Sequence, residues 1–187
     1  MSEDERLPKT IEVLVLGLGN VLLGDDGLGA AALASLERQY YVPVGVRLAD
    51  GGTLGLSLLD LIAESRHVIL VDAVRTDAPP GTLVRLDGAD VNDAVRDRLS
   101  PHQVGVADLL DAAHLIDCYP ATVTLLGLVP DMIDLAVERS CAVDAGLEGL
   151  VAATVREVRS LGYEMVRESD ISAQPRPIHD LARHFGM

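Results

Sequence analysis

Residues Ile11 to Gly17, apolar but for Glu12, read as a buried strand that passes straight into a glycine-rich loop, after which Leu28 to Tyr40 takes up a helical period with Leu33, Leu36 and Tyr40 on one face. A buried strand followed by such a loop and an amphipathic helix is the opening unit of a parallel α/β sheet, because a strand apolar on both faces needs helices to cover it. The unit then repeats. Val44 to Ala49 reads as a second strand, Asp50-Gly51-Gly52-Thr53 as its loop and Leu54 to Ala63 as a short helix. His67 to Val74 is a third strand interrupted by Asp72, and a turn holding Pro79 and Pro80 leads to a strand at Thr82 to Leu86. So short a connection predicts that these two strands run antiparallel.

Farther along, Val91 to Leu99 is polar and ambiguous between loop and helical turn, and Pro101 to about His114 predicts a helix carrying Val106, Leu109, Leu110 and Ala113. Ala121 to Val129 reads as another central strand, ended by Pro130. Val143 to Leu161 predicts a long helix whose Leu147, Leu150, Val151, Thr154, Val155 and Val158 pack on the sheet. The expected fold is therefore α/β in three layers, a mostly parallel twisted sheet of about five strands with helices on both faces. Ligands of such sheets bind outside the carboxyl ends of the strands, which directs attention to the loops after the first and second strands and to Asp72.

The 187 residues suit one domain, expected here over 11–168, after a polar segment 1–10 and before an extension 169–187 that holds Pro175 and Pro177 without a convincing period. With 49% hydrophobic but only 3% aromatic residues, the core must be filled by Leu, Val, Ile and Ala. A net charge of -14 argues against nucleic acid and against an anionic membrane surface as partners. No apolar run approaches the roughly 20 residues needed to span a bilayer, so membrane insertion is not expected. Cys118 and Cys141 have no metal-binding spacing and Met1 to Lys9 does not resemble a signal peptide, so the expected compartment is the cytoplasm.

The loop Gly17 to Gly29 could be taken for a dinucleotide fingerprint, but Leu22 stands where that motif wants its third glycine. Asp25 and Asp26 also lie at the helix entrance, where a pyrophosphate would be repelled. One of them can be explained as a helix cap; a second adjacent carboxylate needs another role. Asp72 ends an apolar strand, where a carboxylate must be solvated, hydrogen-bonded or metal-bound, although a turn-forming role is the plainer alternative. Ser100-Pro101-His102-Gln103 fits a capping box, with proline at the first helical position. His102 would then sit in the first turn, where a helix amino terminus favours the neutral imidazole that can bind a metal; an ordinary surface histidine is the alternative. Asp26, Asp72 and His102 together offer two carboxylates and an imidazole, a set suited to a borderline divalent ion with a position left open. No nucleophile-elbow serine and no His-Glu-x-x-His motif is present.

These residues resemble the hydrogenase maturation proteases, which act on the large subunit of nickel-iron hydrogenases. The resemblance spans about Ile11 to Leu161 and rests on ordered blocks. They are Gly17-Leu18-Gly19-Asn20 with Leu23 and Asp25-Asp26-Gly27, Asp50-Gly51-Gly52-Thr53, Val71-Asp72-Ala73, Ser100-Pro101-His102-Gln103-Val104-Gly105, and Gly127 to Pro130. It implies an endopeptidase that removes a carboxyl-terminal extension from the large-subunit precursor once nickel is installed, the nickel being carried by the substrate and no organic cofactor being needed. Asp26, Asp72 and His102 would then reach that nickel as the catalytic and metal-contacting residues, while Asp50, Gly51, Gly52 and Thr53 would hold the substrate tail. Many members carry Glu at position 26, so Asp26 shortens the reach by one methylene and keeps the ligand type. A non-catalytic nickel chaperone and a nucleotide-binding α/β protein are the competing readings, and the oligomeric state is open.

Overall fold

The computed structural model describes residues 9–88, 90–91 and 101–172, with the backbone alone for 101–104 and 172. Strand β1 (Ile11–Leu18) leads through a 3-10 turn (Gly24–Gly27) into α1 (Leu28–Gln39). Then come β2 (Tyr40–Tyr41), β3 (Val46–Gly52), a 3-10 turn (Gly55–Leu58), α2 (Leu59–Ala63), β4 (Ser65–Ala73) and β5 (Leu83–Asp87). The chain continues through α3 (Pro101–Leu115), β6 (Thr122–Leu128), α4 (Cys141–Ser160), β7 (Val166–Arg167) and α5 (Glu168–Ser172).

Five strands form one sheet in the order β3-β1-β4-β6-β5, and only β5 runs against its neighbour. Alternate residues of the central strands feed opposite faces, as a period of two demands. Val13, Val15, Ile69, Val71, Leu126 and Leu128 join α1 and α4 in one apolar cluster. Leu14, Leu16, Val68, Leu70, Val123 and Leu125 join α2 and α3 in the other. The result is the expected three-layer α/β fold, mostly parallel, with helices on both faces.

Three features depart from the sequence reading. The strand Leu83–Asp87 does run opposite to β4, but β6 lies between them, because the ladder it completes is with Thr124 to Leu128. Tyr40 is not the last helical residue: its backbone is extended, and with Tyr41 it pairs antiparallel with Val166 and Arg167. The Arg167 guanidinium donates to the Tyr40 hydroxyl at 3.0 Å and lies 5.4 Å from its ring centre, which fixes this small second sheet. Finally, the second strand continues past Ala49 to Gly52, so Asp50, Gly51 and Gly52 belong to β3 and only Thr53 of that block follows it, because their backbone completes the ladder with Gly17 and Leu18. Residues 92–99, Ser100 and 173–187, for which the sequence was ambiguous or suggested a cap and a tail, lie outside the described residues.

The order of strands determines where a site can form. From β1 the chain moves outward to β3, then returns across β1 to place β4 on its other side, so the connections leave in opposite directions between β1 and β4. The carboxyl ends of those two strands border the crevice that such a reversal creates.

Candidate active site

Beyond Leu18 the chain folds tightly on itself. Gly19 has φ +108°, and a Cβ there would stand 1.8 Å from the Asp26 carbonyl oxygen, so the loop can close only without a side chain. The Asn20 N–H donates to Asp26 Oδ2 at 2.8 Å, and the Asn20 side-chain oxygen accepts from the Leu22 N–H at 3.0 Å. Gly29, in the first turn of α1, lies against the backbone of Leu18 and Val71, where a Cβ would come within 2.3 Å of the Leu18 carbonyl oxygen. That approach lays the start of α1 across the ends of β1 and β4. It also buries Gly24 to Gly29, which removes the open helix terminus a pyrophosphate would require.

The two neighbouring aspartates, both fully buried, have different surroundings. Asp25 Oδ2 accepts from the Asp131 N–H at 2.8 Å, the Met132 N–H at 2.9 Å and the Ser140 hydroxyl at 2.9 Å, while its Oδ1 accepts from the Ser140 N–H at 2.7 Å. Burial pushes its carboxyl upward, but the hydrogen bonds from Met132, Ser140 and Asp131 outweigh that and hold it below the ordinary aspartate value. Asp26, 1% exposed, accepts only the Asn20 N–H among the described residues. Neither caps α1: the N-cap is Gly27, with no side-chain cap bond. The helix-cap reading of one aspartate is thus replaced by a longer-range role, because Asp25 faces the segment that precedes α4.

Asp72 is the penultimate residue of β4, opposite Gly127 of β6 and 1% exposed, with Oδ1 accepting the Ala73 N–H at 2.7 Å. The end of β3 approaches from the other side. Asp50 Oδ1 accepts the Gly52 N–H at 3.0 Å, and the Gly52 carbonyl accepts the Gly19 N–H at 3.0 Å, which ties the end of this strand to the turn before Asp26. Asp50 and Thr53 are exposed there and Gly51 is buried. Asp26, Asp72 and the Asp50 to Thr53 segment therefore share the carboxyl edge of the sheet.

His102 belongs to the first turn of α3, which Pro101 opens, and α3 packs on the Gly55–Leu58 turn that follows the Asp50 to Thr53 segment. Its side chain lies outside the described residues. Among the described residues no cluster of three or more His, Cys, Asp and Glu side chains is placed to hold a metal. Two cavities, of about 320 Å³ beside Tyr40 and Met165 and about 350 Å³ beside Tyr119 and Thr122, lie away from this edge. Among the described residues, no helix is long and apolar enough to cross a membrane.

Sequence reasoning missed Asn20 as the donor to Asp26 and Ser140 as a partner of Asp25. Asn20 carries a local signal, since an Asn before a tight turn commonly bonds the backbone two residues on. Ser140, 115 residues from Asp25, carries only its position before a helix.

Comparison with known proteins places the chain among relatives. The family described as hydrogenase maturation protease matches residues 31–157. The hydrogenase 2 maturation protease of Escherichia coli (strain K12) is 34% identical over 172 residues, covering 91% of this chain and 100% of that protein. The hydrogenase expression/formation protein HupD of Rhodobacter capsulatus is 37% identical over 166 residues, covering 88% of this chain and 79% of its own length. Among solved structures, the hydrogenase maturating endopeptidase HybD from E. coli superposes with a TM-score of 0.82 at 34% identity, over 86% of this chain and 99% of that one. The [NiFe] hydrogenase maturation protease HybD from Thermococcus kodakarensis gives 0.66 at 28% identity, over 79% and 99%.

Proposed function

Because this chain belongs to the hydrogenase maturation proteases and is therefore a peptidase, we propose that it removes the carboxyl-terminal extension from the nickel-loaded precursor of a nickel-iron hydrogenase large subunit. The nickel is part of the substrate. Asp26, Asp72 and His102 reach it, and the Asp50 to Thr53 segment holds the tail to be cut. The observation that carries this reading is Asp26: a carboxylate 1% exposed with one hydrogen bond among the described residues, at the sheet edge it shares with Asp72. A carboxylate so placed is costly to bury unless a cation or proton completes its surroundings.

The chemistry follows from that setting. A divalent ion polarises the scissile carbonyl or lowers the pKa of an attacking water. Asp26 and Asp72, held by the Asn20 and Ala73 N–H groups, orient that water and accept its proton. A neutral His102 supplies a nitrogen lone pair. No covalent intermediate is needed, so mass spectrometry of the enzyme with a slow substrate should find none; a trapped acyl-enzyme would exclude the route.

The deciding experiment is cleavage of purified nickel-loaded precursor. Wild type should release the extension, and His102→Ala should not, with its circular dichroism unchanged. An uncut precursor in the presence of wild type defeats the proposal, and full activity of His102→Ala defeats the site assignment.

A further inference from the structure

Asp25 has no part in the chemistry above, yet it is among the most heavily hydrogen-bonded side chains described. All four of its donors come from the two ends of one segment, Asp131 and Met132 at the start and Ser140 at the close. The middle of that segment is stitched to the active-site loop itself. The Gly24 N–H donates to the Ala136 carbonyl at 2.6 Å, and the Ala136 N–H donates to the Leu22 carbonyl at 3.0 Å. Leu23 and Ala136 thereby form a short parallel bridge. Residues 131–140 are thus a strap closed at its neck by one carboxylate and laid along the strand of chain that delivers Asp26.

The strap's outer surface is apolar. Leu135 and Val137, on either side of the stitched Ala136, are 85% and 76% exposed, and Val21 and Leu22 opposite them are about half exposed. Single exposed apolar residues are ordinary, but a group held side by side by backbone hydrogen bonds next to a site is a surface prepared for another chain. We infer that Asp25 is a positioning residue: it fastens the 131–140 strap beside Asp26 as one wall of the cleft, against which the precursor's tail lies. This inference rests on the substrate proposed above and adds the wall that orients it.

A carboxylate is what the neck requires. Three backbone N–H groups and a hydroxyl converge on two oxygens, and an ionised Asp can accept all four because it brings no donor of its own. Asn at the same position would turn an NH₂ toward N–H donors. The depressed carboxyl of Asp25, whose hydrogen bonds overcome its burial, accords with a group held in the charged form.

The test is steady-state cleavage of the nickel-loaded precursor by full-length Asp25→Asn, joined to amide hydrogen exchange. KM should rise about tenfold with kcat within about threefold of wild type, the size expected when one or two charge-assisted hydrogen bonds are lost from a binding wall. The amides of Asp131, Met132 and Ser140 should exchange faster while those of Val123 to Leu128 stay protected. A KM equal to wild type with the strap amides deprotected overturns the inference, and so does a kcat loss at unchanged KM, which a purely structural lesion or a direct role in the reaction would give. Should Asp25→Asn not fold, Leu135→Ser combined with Val137→Ser leaves the neck intact and must raise KM; an unchanged KM there overturns the inference equally. If wild type fails to cut the precursor, the substrate reading falls; if wild type cuts it and the variants keep its KM, only the wall falls.

Discussion

Asp25 and Asp26 are adjacent in the chain, share one 3-10 turn and are buried to the same degree, yet one accepts four hydrogen bonds and the other accepts one among the described residues. The difference teaches that two neighbours in one turn can be buried alike and yet be bonded very differently. Asp25 lies against a segment with surplus backbone donors and becomes part of the framework. Asp26 lies against the turn at Gly19, where the Asn20 N–H is its one donor among the described residues. Equal burial thus accompanies very different numbers of donors.

The sharpest way to break this contrast is Asp26→Ala. Cleavage of the precursor should fall by at least about a thousandfold, the scale expected when a group at the reacting centre is removed. Its urea unfolding free energy should stay within about 1 kcal/mol of wild type, since only one hydrogen bond is lost. Appreciable activity in that variant would erase the distinction. Asp25→Ala should show the reverse emphasis, losing roughly 3 kcal/mol in urea unfolding as buried donors are left unpaired. A loss no larger than that of Asp26→Ala would mean the strap is not held by its neck.

A smaller effect is expected at Ser140. Its hydroxyl donates to Asp25 and accepts the Val143 N–H at 3.3 Å, so it serves the strap and caps α4 at once. Ser140→Ala should cost about 1–2 kcal/mol, at the upper end of what a cap alone contributes; a cost near zero would remove Ser140 from the clamp. The finest distinction is in acid. Asp25 is harder to protonate in the folded than in the unfolded chain, so its contribution is complete above the ordinary aspartate value and is lost as the pH falls through its lower folded value. Acid titrations of stability should therefore show a decline below about pH 4 in wild type that is shallower in Asp25→Asn.

Much of the fold was legible because the central strands and long helices carry strong periods. β1, α1, β6 and α4 fall within a few residues of where apolar spacing puts them. What spacing could not reveal was pairing at a distance. β5 needed β6, some forty residues later, and the two-residue strands at Tyr40 and Val166 are too short to display a period. The same limit applies at the site. Asp26 stood out because its loop follows β1 while Asp72 and Asp50 lie near the ends of β4 and β3, and a parallel sheet gathers such strand ends at one edge. The role of Asp25 depends on donors 106 to 115 residues away, which no local pattern encodes.

The stitched strap bears on how the protein is made. Synthesis delivers the amino-terminal part first, and the loop bearing Asp25 and Asp26 is complete more than a hundred residues before Ser140. A nascent chain that has reached only β4 already holds three of the five strands, β3, β1 and β4, with Asp25 facing none of its donors. Only when translation passes Ser140 can the neck close. The strap is thus fastened only after all five strands of the sheet have been synthesised, and a chain that stops short of Ser140 has no fastened wall beside Asp26.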